Sequence, residues 1–288
     1  MQLFTACVTP FLPNGSIDFP SLKQLLFLQE KEGNGIILLG STGESLSLTS
    51  KEKKDIIAFA CNCGLTVPLV VGVAGTSLYE ASEWIYWCRD YPITGFLITC
   101  PIYTNPGIHG QTLWFESLLN IANRPTILYN IPSRAGTPLY TETVRALIQH
   151  PHFSGIKDSG RSIEKFREYA SIDDKLMLYC GDDSLWPQMY IEGACGLISV
   201  LSNSWPKETK EYVNYCGDPF QTLLWKEICH WMSQTTNPIA IKALLAYKKE
   251  ISHFVLRLPL SKRDFYQQCS LTEVVERMAQ WSQACVSI

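Results

Sequence analysis

Eight short apolar runs, each bounded by glycine, proline or polar residues and followed by a stretch with helical periodicity, constrain this chain more than any other feature. The runs span residues 3–9, 35–39, 69–73, 95–99, 126–129, 154–157, 176–180 and 196–200. Helix-like segments lie between them at 21–31, 50–61, 78–88, 111–121, 141–149, 163–170 and 185–191. Several open on Ser, Thr or Asp, whose side-chain oxygen can cap a first turn. Such alternation is expected of βαβ units with a parallel sheet, and eight repeats is the number that closes a barrel. A doubly wound open sheet is the alternative. It usually carries a glycine-rich turn after its first strand, and Thr9-Pro10-Phe11-Leu12-Pro13 is not one.

The expected class is therefore α/β, a (β/α)8 TIM barrel with a C-terminal helical extension. From residue 206 onward there are helical patterns but no further strand and no freeing linker, so 1–218 read as barrel and 219–288 as an extension packed on it. With 46% hydrophobic and 18% charged residues, the 288-residue chain has ample core and no disordered signature. A net charge of -3 without a Lys/Arg block argues against nucleic acid or an anionic membrane as partner. No apolar run approaches the roughly 18 residues of a membrane span, and the start lacks a basic stretch followed by an apolar one. A cytoplasmic protein is expected. The 11 cysteines are scattered, and Cys61-Asn62-Cys63 has no second Cys or His cluster beside it, so reduced structural thiols are expected and no metal site.

In a barrel the reactive groups gather at the C-terminal strand ends. There the chain offers Gly40-Ser41-Thr42-Gly43-Glu44, Pro101-Ile102-Tyr103, Tyr129-Asn130-Ile131-Pro132-Ser133-Arg134 and Lys157-Asp158. Side chains alternate between barrel interior and helix layer, so either Ile156 or Lys157 points inward. Ile156 suits the apolar helix interface, which leaves Lys157 inside. An amine enclosed among apolar groups is penalised for its charge, and its neutral form can attack a carbonyl. The plainer use of Lys157 is an ion pair with Asp158. Tyr129 ends the neighbouring strand in the same phase, beside Lys157, where a phenol can shuttle protons; a core tyrosine is its plainer reading. The Gly40–Gly43 turn can present N–H groups and two hydroxyls to a carboxylate. Arg134, on a loop stiffened by Pro132, carries a planar fork suited to a carboxylate, although a lone arginine is more often a solvated charge.

Together these motifs, with Gly155-Ile156-Lys157-Asp158, closely resemble the dihydrodipicolinate synthase and N-acetylneuraminate lyase superfamily across essentially the whole chain. Thr9-Pro10-Phe11, Gly181-Asp182-Asp183 and Gly196-Leu197-Ile198-Ser199 add to the match. The resemblance implies a barrel enzyme in which Lys157 forms an imine with pyruvate. It implies a proton relay of Tyr129, Thr42 and Tyr103, with Tyr103 delivered into a neighbouring subunit's site of a homotetramer, a dimer of dimers. Substrate would be held by Ser41, Thr42, Arg134, Gly181 and Ile198, and the imine makes any organic cofactor or metal unnecessary. Members that accept aspartate semialdehyde, on the diaminopimelate route to lysine, typically carry the arginine found here as Arg134. Sialic-acid lyases and keto-deoxy-sugar-acid aldolases usually lack it and form the alternative reading. A non-catalytic barrel that binds a keto acid is more remote. Lysine-inhibited members often carry an aromatic residue, Asn and His where this chain has Ile102, Thr76 and Ser50 or Lys53, although Glu80 matches. Weak or absent inhibition by lysine is therefore expected.

Overall fold

The computed structural model describes residues 1–215, 219–265 and 270–286. Eight parallel strands close on one another in chain order: β1 (Gln2–Ala6), β2 (Gly35–Leu38), β3 (Leu69–Val73), β4 (Gly95–Thr99), β5 (Thr126–Asn130), β6 (Phe153–Asp158), β7 (Met177–Cys180) and β8 (Gly196–Ser199), with β8 pairing back onto β1. The helices are α1 (Phe19–Glu32), α2 (Ser50–Cys61), α3 (Leu78–Cys88), α4 (Ile108–Ala122), α5 (Pro132–Ala135), α6 (Thr141–Leu147), α7 (Ile163–Ala170), α8 (Trp186–Ile191), α9 (Pro206–Tyr215), α10 (Pro219–Ser233), α11 (Ile239–Tyr247) and α12 (Leu271–Val286). This is the (β/α)8 barrel with C-terminal helices expected from the sequence. The expected division after residue 218 falls on a residue outside those described.

The period-two alternation of a strand sorts the core into two layers. Phe4, Ala6, Ile37, Val70, Leu97, Ile127, Tyr129, Tyr179 and Ile198 fill the barrel interior. Their neighbours Leu3, Ile36, Val71, Phe96, Leu128, Ile156, Leu178 and Leu197 pack outward against the helices. Caps fall where the sequence places them: Thr49 and Glu52 form a reciprocal capping box at α2, and Ser77 and Ser162 cap α3 and α7. Two details depart from expectation. The first strand ends at Ala6 rather than residue 9, because the Val8 N–H is taken by Asn203 Oδ1 at 3.0 Å and Pro10 has none to give. Arg134 sits on the single helical turn α5 rather than on a loop, since Pro132 presets the first helical φ and Gly136, at φ 81°, ends the turn.

The C-terminal helices are tied to the barrel by buried polar contacts. Trp225 of α10 is fully buried and donates its Nε1–H to the Asp183 carbonyl at 3.0 Å. Lys242 of α11 and Glu44, at the end of the turn after β2, form an ion pair of 2.6 Å with side chains 0% and 1% exposed. Burial pushes the Lys242 amine down to about 8, against the pull of Glu44. The other Glu44 oxygen accepts the Arg257 backbone N–H at 2.8 Å. Glu44 holds a left-handed backbone, φ 54°, which costs an L-residue about 1–2 kcal/mol, so the pair also pins a turn that would otherwise relax. Lys242→Met should leave Glu44 as an uncompensated buried charge and lower stability by roughly 3–5 kcal/mol. Adding Glu44→Gln should recover part of the loss, both read from urea denaturation.

Candidate active site

Lys157 lies on β6 with its side chain in the barrel and only 5% exposed. Register places Tyr129 of β5 on one side of it and Tyr179 of β7 on the other. The Lys157 Nζ stands 4.2 Å from the centre of the Tyr129 ring, a distance at which the face of the ring attracts a cation. The Lys157–Asp158 ion pair does not form, because Asp158 faces the opposite way. It accepts Asn130 Nδ2 at 2.6 Å and the Gly160 N–H at 3.1 Å, and burial still raises its carboxyl, with those bonds pulling downward. Asn130 in turn accepts the Leu139 N–H, so β5 and β6 are locked together where Tyr129 and Lys157 meet. Ser159 Oγ lies 3.4 Å from the Tyr129 hydroxyl and 3.1 Å from the Gly181 carbonyl.

The turn after β2 starts from Leu39, at φ 59°. Its carbonyl passes so close to Gly72 that a Cβ there would sit 2.3 Å from the oxygen. The N–H groups of Gly43 and Ser45 return to the Gly40 carbonyl and that of Glu44 to Ser41, while Thr9 Oγ1 donates to the Gly43 carbonyl. The N–H groups of Ser41 and Thr42 stay outside this self-bonding, a pair of donors of the kind that can meet a carboxylate. Thr42 is 3% exposed, and its Oγ1 accepts Asn237 Nδ2 at 2.9 Å. Arg134 is exposed and donates from Nη2 to the Asn237 carbonyl at 2.8 Å.

A cavity of about 590 Å³ is lined by Ser41, Thr42, Tyr129, Arg134, Lys157 and Gly181, among others. Six of the sequence-derived site residues thus share one space. Two do not. Ile198 is 1% exposed within the inner barrel cluster, and Val200 and Leu201 face the cavity in its stead. Tyr103 is 93% exposed with φ 69°, its N–H held by the Ala135 carbonyl and its ring turned to solvent. The sequence reading passed over Ser159, Arg161, which pairs across the rim with Asp182 at 2.8 Å, and Asn237. Only Asn237 carried a signal, the Asn-Pro dipeptide that marks a turn rather than continuing helix.

Among the described residues no group of three or more His, Cys, Asp or Glu is arranged to hold a metal ion, and the eight cysteines whose side chains are described are free thiols. No described helix is long and apolar enough to cross a membrane.

Fold and site together place the chain among the aldolase-type lyases built on a (β/α)8 barrel. The model of the dihydrodipicolinate synthetase family matches residues 1–278, and the chain belongs to that family. It is 61% identical over 288 residues to 4-hydroxy-tetrahydrodipicolinate synthase of Chlamydia abortus, covering 100% of both chains. Among solved structures, the 4-hydroxy-tetrahydrodipicolinate synthase of Methylacidiphilum fumariolicum SolV superposes with a TM-score of 0.87 at 26% identity, covering 99% of this chain and 97% of that one. The chloride-inhibited dihydrodipicolinate synthase of Acinetobacter baumannii complexed with pyruvate gives 0.87 at 27% identity, with 98% of each chain covered.

A Cβ at Gly181 would lie 2.8 Å from Lys157 Cε, 2.1 Å from Ser159 Oγ and 3.0 Å from the Asp158 carbonyl. Gly181→Ala should therefore displace the lysine stem and slow its capture of a short keto acid by about 100-fold, measured as the rate of borohydride-trapped adduct. An unchanged rate would show that this contact does not set the amine's position.

Proposed function

We propose that the chain is a 4-hydroxy-tetrahydrodipicolinate synthase that condenses pyruvate with L-aspartate 4-semialdehyde through an imine on Lys157. The observation that carries this is the Lys157 amine over the Tyr129 ring, in the barrel interior and, among the described residues, without an ion-pair partner. Pyruvate sets its carboxylate on the Ser41 and Thr42 N–H groups, with Gly181 and the β8 end around Ile198 completing the pocket. The neutral amine attacks the keto carbon, and the carbinolamine loses water with Tyr129 moving the protons. Loss of a methyl proton gives the enamine, whose carbon attacks the aldehyde, the imine nitrogen having served as electron sink. The new chain's own amine then displaces Lys157 and closes the ring. Arg134 holds the carboxylate of the semialdehyde with its planar fork.

Thr42 and Tyr129 continue the proton relay to Tyr103 of the partner subunit. A second cavity, about 340 Å³, backs onto Ser41, Tyr129 and Arg134 and is otherwise lined by groups such as Leu46, Ile102 and Leu260; it offers room for an inserted ring. The exposed Tyr103 supports this exchange within a homotetramer. The reading includes residues 219–288 as an extension packed on a 1–218 barrel, no organic cofactor, and work in the cytoplasm.

Purified protein given pyruvate and aspartate semialdehyde should form the cyclic product. Lys157→Ala should abolish turnover with the melting curve unchanged. Arg134→Ala should raise KM for the semialdehyde far more than KM for pyruvate, by roughly 10-fold to 100-fold for one lost charged contact. Release of pyruvate from a sialic or keto-deoxy-sugar acid, with no reaction of the semialdehyde, would assign the site to the sugar-acid aldolases instead.

Regulation by lysine is expected to be weak or absent. A cavity of about 560 Å³ is lined by Ser50, Lys53, Glu80, Trp84 and Trp87. Lys53 faces Glu80 there, and burial pushes its amine down. A cationic amino acid would compete with Lys53 for Glu80. Turnover should be unaffected by millimolar lysine; inhibition at micromolar levels would contradict the expectation.

A further inference from the structure

We infer that Asn237, in the C-terminal extension, is a positioning residue that sets the direction of the Thr42 hydroxyl proton and joins it to Arg134; the inference rests on the site reading above. A hydroxyl has one proton and two lone pairs. Asn237 Nδ2 donates to Thr42 Oγ1 at 2.9 Å, and an amide nitrogen cannot accept. The Thr42 proton is thereby turned away from Asn237. Thr42 lines the cavity that holds Tyr129 and Lys157, so that proton is left for a relay partner on the cavity side.

Two further contacts show that this placement is built. The Asn237 main-chain carbonyl accepts Arg134 Nη2 at 2.8 Å, so one residue touches the group that meets pyruvate and the group that meets the semialdehyde. Five residues on, Lys242 grips Glu44, two residues past Thr42, so the extension holds the turn at two points. Among the described residues the side chain's own Oδ1 is buried with no partner.

The test is a set of substitutions at Asn237, each made with Thr42 present and with Thr42→Val. Asn237→Asp keeps the shape but offers an acceptor, which would draw the Thr42 proton toward itself and out of the relay. A purely structural role predicts that Asp is milder than Ala. The positioning role predicts the reverse: about a 100-fold fall in kcat for Asp and about 10-fold for Ala. KM for the semialdehyde should change little in either, because Arg134 bonds the main-chain carbonyl that both substitutions keep. In the Thr42→Val background either change should cost less than about 2-fold more. Melting temperature is followed throughout, and if the Asp variant does not fold, the Asn237→Ala and Thr42→Val cycle carries the test. Asp milder than Ala, or losses that multiply fully with Thr42→Val, would overturn the inference while leaving the synthase reading standing. Failure of wild-type protein to form the Lys157 imine would overturn both.

Discussion

An amine can serve as a nucleophile in the middle of an apolar barrel only if nothing else in the chain claims it. Among the described residues that condition is met by one geometric fact, the two-residue period of β6. Ile156 goes to the helix layer and Lys157 to the interior, while Asp158 goes outward again to Asn130 and Gly160. The nearest carboxylate in sequence is thus held on the far face of the strand. The same period on β5 supplies Tyr129 alongside, and Gly181 after β7 leaves room for the lysine stem. Shifting β6 by one residue would exchange these faces, so register and chemistry are a single constraint.

The turn after β2 presents a different problem. Its Ser41 and Thr42 donors are useful only in a compact loop with left-handed residues at both ends, Leu39 and Glu44. The chain stabilises that loop from outside the barrel, through Lys242, the Arg257 N–H and Asn237. The C-terminal helices are therefore part of the site's framework, and their attachment by an ion pair hidden from water makes the coupling between extension and turn rigid.

Most of the barrel was legible because strand and helix periods differ and glycine, proline and capping residues punctuate them. Seven of the strand segments were placed to within a residue at each end or one beyond. The first overran because Asn203, nearly two hundred residues away, takes the Val8 N–H, a contact no local pattern announces. The site followed the same division. Lys157, Tyr129, Thr42, Ser41 and Arg134 came from strand ends, Gly181 from the family resemblance, and all six share one cavity. Asn237, in the turn before α11, and Lys242, on α11, have no strand end to mark them, and their contacts lie with partners 195 and 198 residues distant. Tyr103 turns outward from its own barrel, with only its backbone held, by the Ala135 carbonyl.

The central claim is that Lys157 is the amine that captures pyruvate. The most direct measurement is intact mass followed by peptide mapping after borohydride reduction of the protein with pyruvate, alone and with aspartate semialdehyde present. The account predicts one irreversible adduct, located on Lys157, whose yield falls when the semialdehyde drains the imine. An adduct on a different lysine, or none at all, would contradict it.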